Sequence, residues 1–583
     1  MSLNIALLNA LTGLQTTQAG IQVTSNNITN ANTPGYTRKI VSQEAMVIGN
    51  VGAGVRLTDI ERIVDDHLLR EVRSTAGTLG GLQVQDSYFA RMQDMFGTPE
   101  SNSSISASIS RFSTALQALA ANPESMSQRL GVVDAGKAVA RQLNTMSSDI
   151  QTLRLEADNE IANAVATVNE QLEIIDELNE KITRSTILNE PTAELEDKRD
   201  IALDKISEQI DISYFTRDNG EMVIFTRNGR ALLDRDVQPL SHTPASSMTA
   251  GFTYPGPITG IDLGGADITN EIRSGRIAAL IDMRDSTLPD MTAQINNLSV
   301  MLRDEVNRIH NEGTGLPAAT TLTSSRAQAG TAASFTGPVQ IALVNPDGTQ
   351  AFTATMPAPG TLDAAGFAAA INAALGGSGG SATEAGGIVT VDGAGFGVVI
   401  SGGTVDPGGG APTTNLSDFL HLNDFFVGDD PAGIDLASVL SVRSDIVANP
   451  HLVSRGALQQ DTVTLEYYVS AGDNTVAQRL ADKFSEQLTF AAAGGLSQTG
   501  TTLGGYATSI LSTNSTNYAN VTDQLSFQQS LHTELNFKAD SLSGVNMDEE
   551  LSNLIVLQNA YAASARMIST AAEMFDVLTN MGR

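Results

Sequence analysis

The chain of 583 residues has no cysteine and no tryptophan, and aromatic residues make up only 5% of it. Without thiols there are no disulfides, no thiolate nucleophiles and no cysteine-based metal sites. No apolar run approaches the roughly 18 residues that a membrane span requires. The opening residues show neither a basic start nor an apolar stretch free of Asn, Thr and Gln, so neither a Sec-type signal nor an anchor is expected there. Positive charge is scarce: 34 Lys plus Arg stand against 65 Asp plus Glu, a formal net charge of -31. A surface of that sign repels phosphate backbones and anionic lipids, which argues against nucleic acid as a partner and against membrane insertion. The sharpest local absence is at the N-terminus, where no side chain carries a charge before Arg38.

In place of these residues the chain is rich in Gly, Ala, Ser, Thr and Asn, a composition suited to long Ala-lined helices and simple β-sheets. Its length is several domains' worth, since single cores rarely grow beyond about 250 residues. Leu7, Leu14, Ile21 and Ile28 recur every seven residues, with Leu8, Leu11 and Val23 beside them, and predict a helix with one apolar stripe and a face of Asn, Thr, Gln and Ser. The far end mirrors it: Leu554, Tyr561, Ile568 and Phe575 are again seven apart, with Leu551, Ala565 and Ala572 in the adjoining row. Asn546 stands at the N-cap position of this second helix and Glu549 at N3, an Asn variant of the capping box, and Asp548 to Glu550 suit the positive helix start. Neither helix has a globular core of its own beside it, so both stripes are read as assembly surfaces completed by neighbouring copies.

Between the ends the pattern changes several times. From about Glu124 to Ser185 there is no proline, and an unbroken helix of that length would reach roughly 90 Å. Ile161, Val168, Ile175 and Ile182 keep the seven-residue spacing, and the expected partner helices are Ala193 to Ile210 and Leu503 to Ser541. Asn219-Gly220 and Asn228-Gly229 are hairpin signals within a short-strand pattern. The expected fold class is α+β and multidomain: a terminal α-helical coiled coil, a long-helix bundle domain and inserted, mainly-β outer domains. The expected division is 1–60 with 541–583 as the inner coiled coil, 61–210 with 269–313 and 411–540 as the long-helix domain, 211–268 as an inserted β-domain, and 314–410 as a second, Gly/Ala/Thr-rich outer domain.

No catalytic constellation emerges. The six histidines, His67, His242, His310, His421, His451 and His532, have no ligand-like spacing. Gly376-Gly377-Ser378-Gly379-Gly380 matches a nucleophile-elbow pattern but follows a predicted helix, not a strand, and reads as a linker. Gly393-Ala394-Gly395-Phe396-Gly397 lacks dinucleotide spacing and reads as a turn or bulge. Asp429-Asp430 precedes Pro431 in a turn, and Asp548-Glu549-Glu550 is explained as a helix start. No cofactor, metal or catalytic residue is assigned.

At the exit of the first helix, "NNITNANTPGYTRK" places Pro34-Gly35 at the two central positions of a type II turn. Asn26, Asn27, Asn30 and Asn32 can bond backbone groups there without bringing charge, and Tyr36 is a candidate packing anchor. Together with "SGVNMDEELSNLIVLQNAYAASAR" near the other end, this segment resembles the rod, hook and hook-associated axial proteins of the bacterial flagellum. Matching positions in the second segment include Ser543, Gly544, Val545, Asp548, Glu549, Glu550, Asn553, Leu554, Gln558, Tyr561 and Arg566. Within that superfamily, the long helical region and "ELEDKRDIALDKISEQIDI" followed by "MVIFTRNGRALL" are similar to the hook-associated proteins of the hook-filament junction. Hook protein and the third hook-associated protein are the alternatives, and a wall hydrolase carrying axial termini is a remote one.

The resemblance implies a secreted structural protein with no catalysis, located in the flagellum and assembled through Leu7, Leu14, Ile21, Ile28, Asn30, Asn32, Pro34, Gly35, Tyr36, Leu554, Tyr561, Ala565, Ile568, Ala572 and Phe575. The partners it implies are further copies in a ring expected to hold eleven subunits, flagellar hook protein, the next hook-associated protein, and a cytoplasmic export chaperone at the C-terminal helix. Export through the flagellar type III apparatus is implied as well.

Overall fold

A computed structural model describes residues 2–48, 51–97, 103–328, 332–357, 360–406 and 413–581. Helix α1 (Ser2–Asn30) leads into a two-stranded antiparallel ribbon, β1 (Lys39–Ile48) and β2 (Val51–Arg62). Helices α2 (Asp66–Phe96), α3 (Ile105–Ala121), α4 (Met126–Leu188) and α5 (Ala193–Gln209) follow. Helix α4 is 63 residues long, as the proline-free stretch predicts, and Ile161, Val168, Ile175 and Ile182 lie on its fully buried face. Helices α3 and α5 pack along it.

Strands β3 (Ile212–Thr216), β4 (Met222–Thr226) and β5 (Ala231–Asp234) form an antiparallel meander. Gly220 and Gly229 take positive φ at its two turns, where the Asn-Gly pairs predict hairpins. Met222, Ile224, Leu232 and Leu233 of this meander belong to the same apolar core as α4 and α5. Helices α6 (Gly275–Asp282) and α7 (Leu288–His310) return to that core.

The Gly/Ala/Thr-rich segment has a core of its own. Strand β6 (Thr321–Thr323) sits in a three-stranded sheet with β10 (Ser381–Ala385) and β11 (Ile388–Asp392); β7 (Ala333–Val344) pairs with β8 (Gln350–Met356) and β9 (Gly360–Leu362) on one side and with β12 (Gly397–Asp406) on the other. Helix α8 (Ala364–Ala374) packs against these strands, with Phe335, Phe367 and Phe419 stacked edge to face in the interior. Leu416, Leu420 and Leu422 close this core from beyond the glycine-rich stretch.

The short helix α9 (Thr475–Lys483) precedes α10 (Leu503–Ser543) and the last helix, α11 (Met547–Met581). Helix α11 lies against α1, so the chain goes out and comes back. One expectation is corrected here: α10 packs chiefly on α2 and not along α4. The reason is topological. Helix α2 leaves the ribbon where α10 arrives at α11, so both run from the same point and lie side by side. Their seam is partly polar: Gln93 Oε1 accepts from Asn514 and Ser515, and Thr522 Oγ1 donates to Asp86 at 2.9 Å. The α+β, multidomain class stands, with long helices and small sheets.

Candidate assembly joint at the paired chain ends

The turn that ends α1 is the start of the site. Tyr36 N donates to Thr33 O at 3.1 Å and Gly35 has φ +76°, which is the type II geometry that Pro34-Gly35 predicts. A Cβ on Gly35 would also lie 2.6 Å from Cγ1 of Ile201, so the turn rests directly on α5 and only glycine fits. Asn27, 1% exposed, organises the chain after the turn. Its Oδ1 accepts from Tyr36 OH at 2.9 Å and from Lys39 N at 3.1 Å, while its Nδ2 donates to Lys39 O at 2.9 Å and to Glu550 Oε2 at 3.0 Å. All four hydrogen-bonding positions of the amide are filled, which is what a buried Asn requires.

Arg38, the first charge of the chain, joins both ends. Its Nε donates to Glu550 Oε1 at 2.8 Å and its Nη2 to Glu549 Oε1 at 2.7 Å. Its backbone N–H bonds Ser543 O at the end of α10, and its carbonyl accepts from Ile63 at the ribbon exit. Burial alone would lower the Arg38 pKa, but Glu549 and Glu550 outweigh it and hold it above its usual value. Burial, reinforced by Glu194, Asp197 and Glu550, pushes the Tyr36 phenol well above its ordinary range, so it stays a neutral donor. Asn546 Oδ1 caps α11, accepting from Asp548 N at 3.0 Å and Glu549 N at 3.4 Å. The acidic helix start therefore does two things: it suits the helix dipole and it binds Arg38.

The face on which α1 and α11 approach most closely is built from small residues. Ala10, Gly20, Val23, Thr24 and Asn27 are buried on α1, and a Cβ on Gly20 would lie 3.0 Å from Leu557 Cδ2. Ala571 is buried on the opposing helix, and Ser564 faces Gly13. The apolar stripes sit beside that seam. Leu7, Leu14, Ile21 and Ile28 are half-buried, as are Leu554, Ala565, Ile568 and Phe575, while Tyr561 and Ala572 are exposed. Asn30 is half-buried and bonds Asn26 O; Asn32, Pro34 and Gly35 are exposed; Tyr36 is half-buried inside the joint. A further apolar row on α11 has no cover among the described residues: Ile555, Val556, Met567, Met574 and Val577 are each more than half exposed.

Sequence reasoning missed the small-residue seam, because the search was for large apolar residues. It also missed Lys39, Arg62 and Asp197. Lys39 Nζ lies 2.6 Å from Asp197 Oδ2 and 3.5 Å above the Tyr36 ring; Thr37 donates both its N–H and its hydroxyl to Asp197. The available signal was the run of acids at helical spacing in "ELEDKRD", which alone reads as a solvated face.

Among the described residues no group of His, Cys, Asp or Glu is arranged to hold a metal ion, and no helix is long and apolar enough to cross a membrane. Ser378 sits in the loop after α8 and donates to Leu375 O; Gly393 to Gly397 make the β11–β12 turn, where Gly393 O accepts from Phe396 N at 3.1 Å. Asp430 accepts from Gly433 and Asp435 N–H groups in its turn. His242 is locked against buried Asp158, which also accepts from Arg284 at 2.7 Å.

A family model described as the flagellar hook-associated protein FlgK helical domain matches residues 89–322. A flagella basal body rod protein model matches residues 7–37, and a flagellar basal body rod FlgEFG protein C-terminal model matches 539–581. Flagellar hook-associated protein 1 of Salmonella typhimurium is 25% identical over 592 residues, covering 98% of this chain and 99% of the relative. Its Escherichia coli counterpart is 25% identical over 585 residues with the same shares, and that of Bacillus subtilis is 25% identical over 366 residues, 57% of this chain and 70% of the relative. The structure of the flagellar hook junction protein FlgK from Burkholderia pseudomallei aligns with a TM-score of 0.48 at 14% identity, covering 81% of this chain and all of that one.

Proposed function

The chain belongs to the flagellar hook-associated protein 1 family, and from that premise we propose that it is the structural subunit joining hook to filament, built in through its paired ends. The observation that carries this reading is the uncharged α1 held against α11, with the apolar row from Ile555 to Val577 left open beside it. Desolvating such a row needs helices of further copies, and an α1 without ions adds no charge to that packed layer. Copies would form a ring, expected to hold eleven, with hook protein on one side and the next hook-associated protein on the other. The β-rich modules would face solvent outside the cell. The chain would pass unfolded through the flagellar export apparatus, after a cytoplasmic chaperone has covered the apolar row of α11. No catalytic step is part of this role.

A deletion strain tests it. Loss of filaments with hooks intact, and flagellin leaking into the medium, is the expected phenotype. Normal filaments in the deletion strain would overturn the reading, and polyrods without hooks would move the protein to the hook itself.

A further inference from the structure

The loop between the paired strands Gln459–Gln460 and Tyr467–Tyr468 turns its apolar side chains outward. Val463 is 87% exposed, more than any other large apolar side chain among the described residues, and Leu465 is 65% exposed. Leu465 also holds φ +61°, a left-handed conformation in which the Cβ of a leucine crowds its own backbone. The loop is nonetheless fixed. Asp461 Oδ1 accepts from Val463 N at 2.7 Å and from Thr464 N at 2.8 Å, Asp461 O accepts from Leu465 N at 3.0 Å, and Leu465 O accepts from Gln460 Nε2 at 2.9 Å. The N–H groups of Thr464 and Val463 hold the Asp461 carboxyl below its ordinary range, so the tip stays charged. Glu466, exposed beside it, adds a second acid. Strain of this kind persists only where the surroundings enforce it, and it collects at sites of contact.

Two side chains bury far less than the roughly 1,200 Å² that a complex holding by itself requires. The occupant is therefore a surface that another interface keeps close. The reading of this chain as a junction subunit supplies one, and the inference rests on it: a second copy, brought alongside through the terminal helices. A matching surface lies on α4, where Leu130, Asp134, Lys137 and Arg141 follow one another at helical spacing on the solvent side and Met126, also exposed, stands one turn before them. Arg141 pairs with no carboxylate among the described residues, and Lys137 reaches only Asp134, at 3.9 Å. An apolar end followed by two cations complements an apolar tip flanked by two acids. Asn474, just past the loop, donates to Ala120 O at 2.6 Å, and a Cβ on Gly472 would lie 3.8 Å from Glu124 Oε1, so the base of the loop and the start of α4 share one end of the body. Copies turned about a common axis bring the two level, and since tip and patch are different surfaces the contact runs head to tail around a ring. We propose that Val463 and Leu465 dock on the Met126–Leu130 patch of an adjacent copy, with Asp461 and Glu466 facing its cations.

A photoreactive benzoylphenylalanine in place of Val463, in a strain that makes no other copy of the chain, captures whatever lies against the tip in assembled flagella. The expected adduct, mapped by mass spectrometry, joins position 463 to residues 126–141 of another copy, and the same chain irradiated dilute and unassembled gives none. An adduct with hook protein, with any other component or with another part of this chain overturns the proposal, and so does the absence of an adduct in cells that bear filaments. Failure of the junction reading shows separately, as normal filaments in the deletion strain. If the probe itself blocks assembly, V463S/L465G decides. The isolated chain should then melt no lower than the parent, since glycine adopts the left-handed conformation freely, while the shear needed to strip filaments from hooks should fall at least twofold. Unchanged shear resistance, or a loss matched by a lower melting temperature, overturns the proposal.

Discussion

Arg38 and Glu550 hold one another at 2.8 Å across 512 residues of chain. The first ion of the sequence, placed just after the first turn, finds its partner in the opening turn of the last helix. Glu550 is 3% exposed on its side chain and also accepts from Asn27. Glu550→Ala is therefore expected to destabilise the α1–α11 pair by about 3 kcal/mol, because it leaves a half-buried guanidinium and a buried amide short of an acceptor. Hydrogen exchange checks it: protection should fall in residues 5–30 and 550–575 and stay unchanged in α4. Equal protection in both chains would show that the pair does not hold the ends.

Gly35→Ala should cost about 1–3 kcal/mol, since alanine must adopt φ +76° and its methyl group meets Ile201. The loss should be partly recovered in Gly35→Ala/Ile201→Ala, which removes the clash but not the backbone strain. Thermal unfolding of the two variants beside the parent gives both numbers. No recovery would mean that strain alone explains the glycine.

Leu14→Asp or Ile568→Asp places a charge in a half-buried row that further copies would desolvate. The helical body, with a core of its own, should melt as before, while filaments should be absent from complemented cells. Filaments assembled at the normal rate would show that these rows are not assembly surfaces.

His310 is fully buried; its Nδ1–H donates to Asn423 O at 2.7 Å and its Nε2 accepts from Ser454 N at 2.9 Å. Burial, the largest cause, lowers its pKa from 6.5 to about 4. Above the unfolded value the ring is neutral in both states. As pH falls from 6.5 towards 4 the unfolded chain takes a proton that the folded chain refuses, so stability is lost at up to about 1.4 kcal/mol per pH unit from this group. The His310 imidazole should remain unprotonated by NMR at pH 5. Protonation near 6.5 in the folded chain would contradict the burial argument.

Elements set by local chemistry were legible before any coordinates. A run without proline gives α4; two Asn-Gly pairs give the meander; Pro34-Gly35 gives the turn; Asn546 gives the cap of α11. Placement across long separations was not. Nothing local tells α10 to lie on α2, because that follows from where the two helices meet the joint. The close approach of α1 and α11 rests on Gly20 and Ala571, residues whose value lies in the side chain they lack, and an apolar stripe draws attention away from them. The ion pairs of α5 were hidden for a third reason: its acids form a recognisable helical row, but their partners Lys39, Arg62 and Arg73 come from three other elements.

The pairing of α1 with α11 also makes the fold a test of its own completeness. Helix α1 is synthesised long before α11, yet Asn27 and Arg38 obtain their full set of partners only once Glu550 has arrived. A copy that stops short of Glu550 leaves both residues with unmatched polar groups, so the joint itself distinguishes a complete chain from a truncated one.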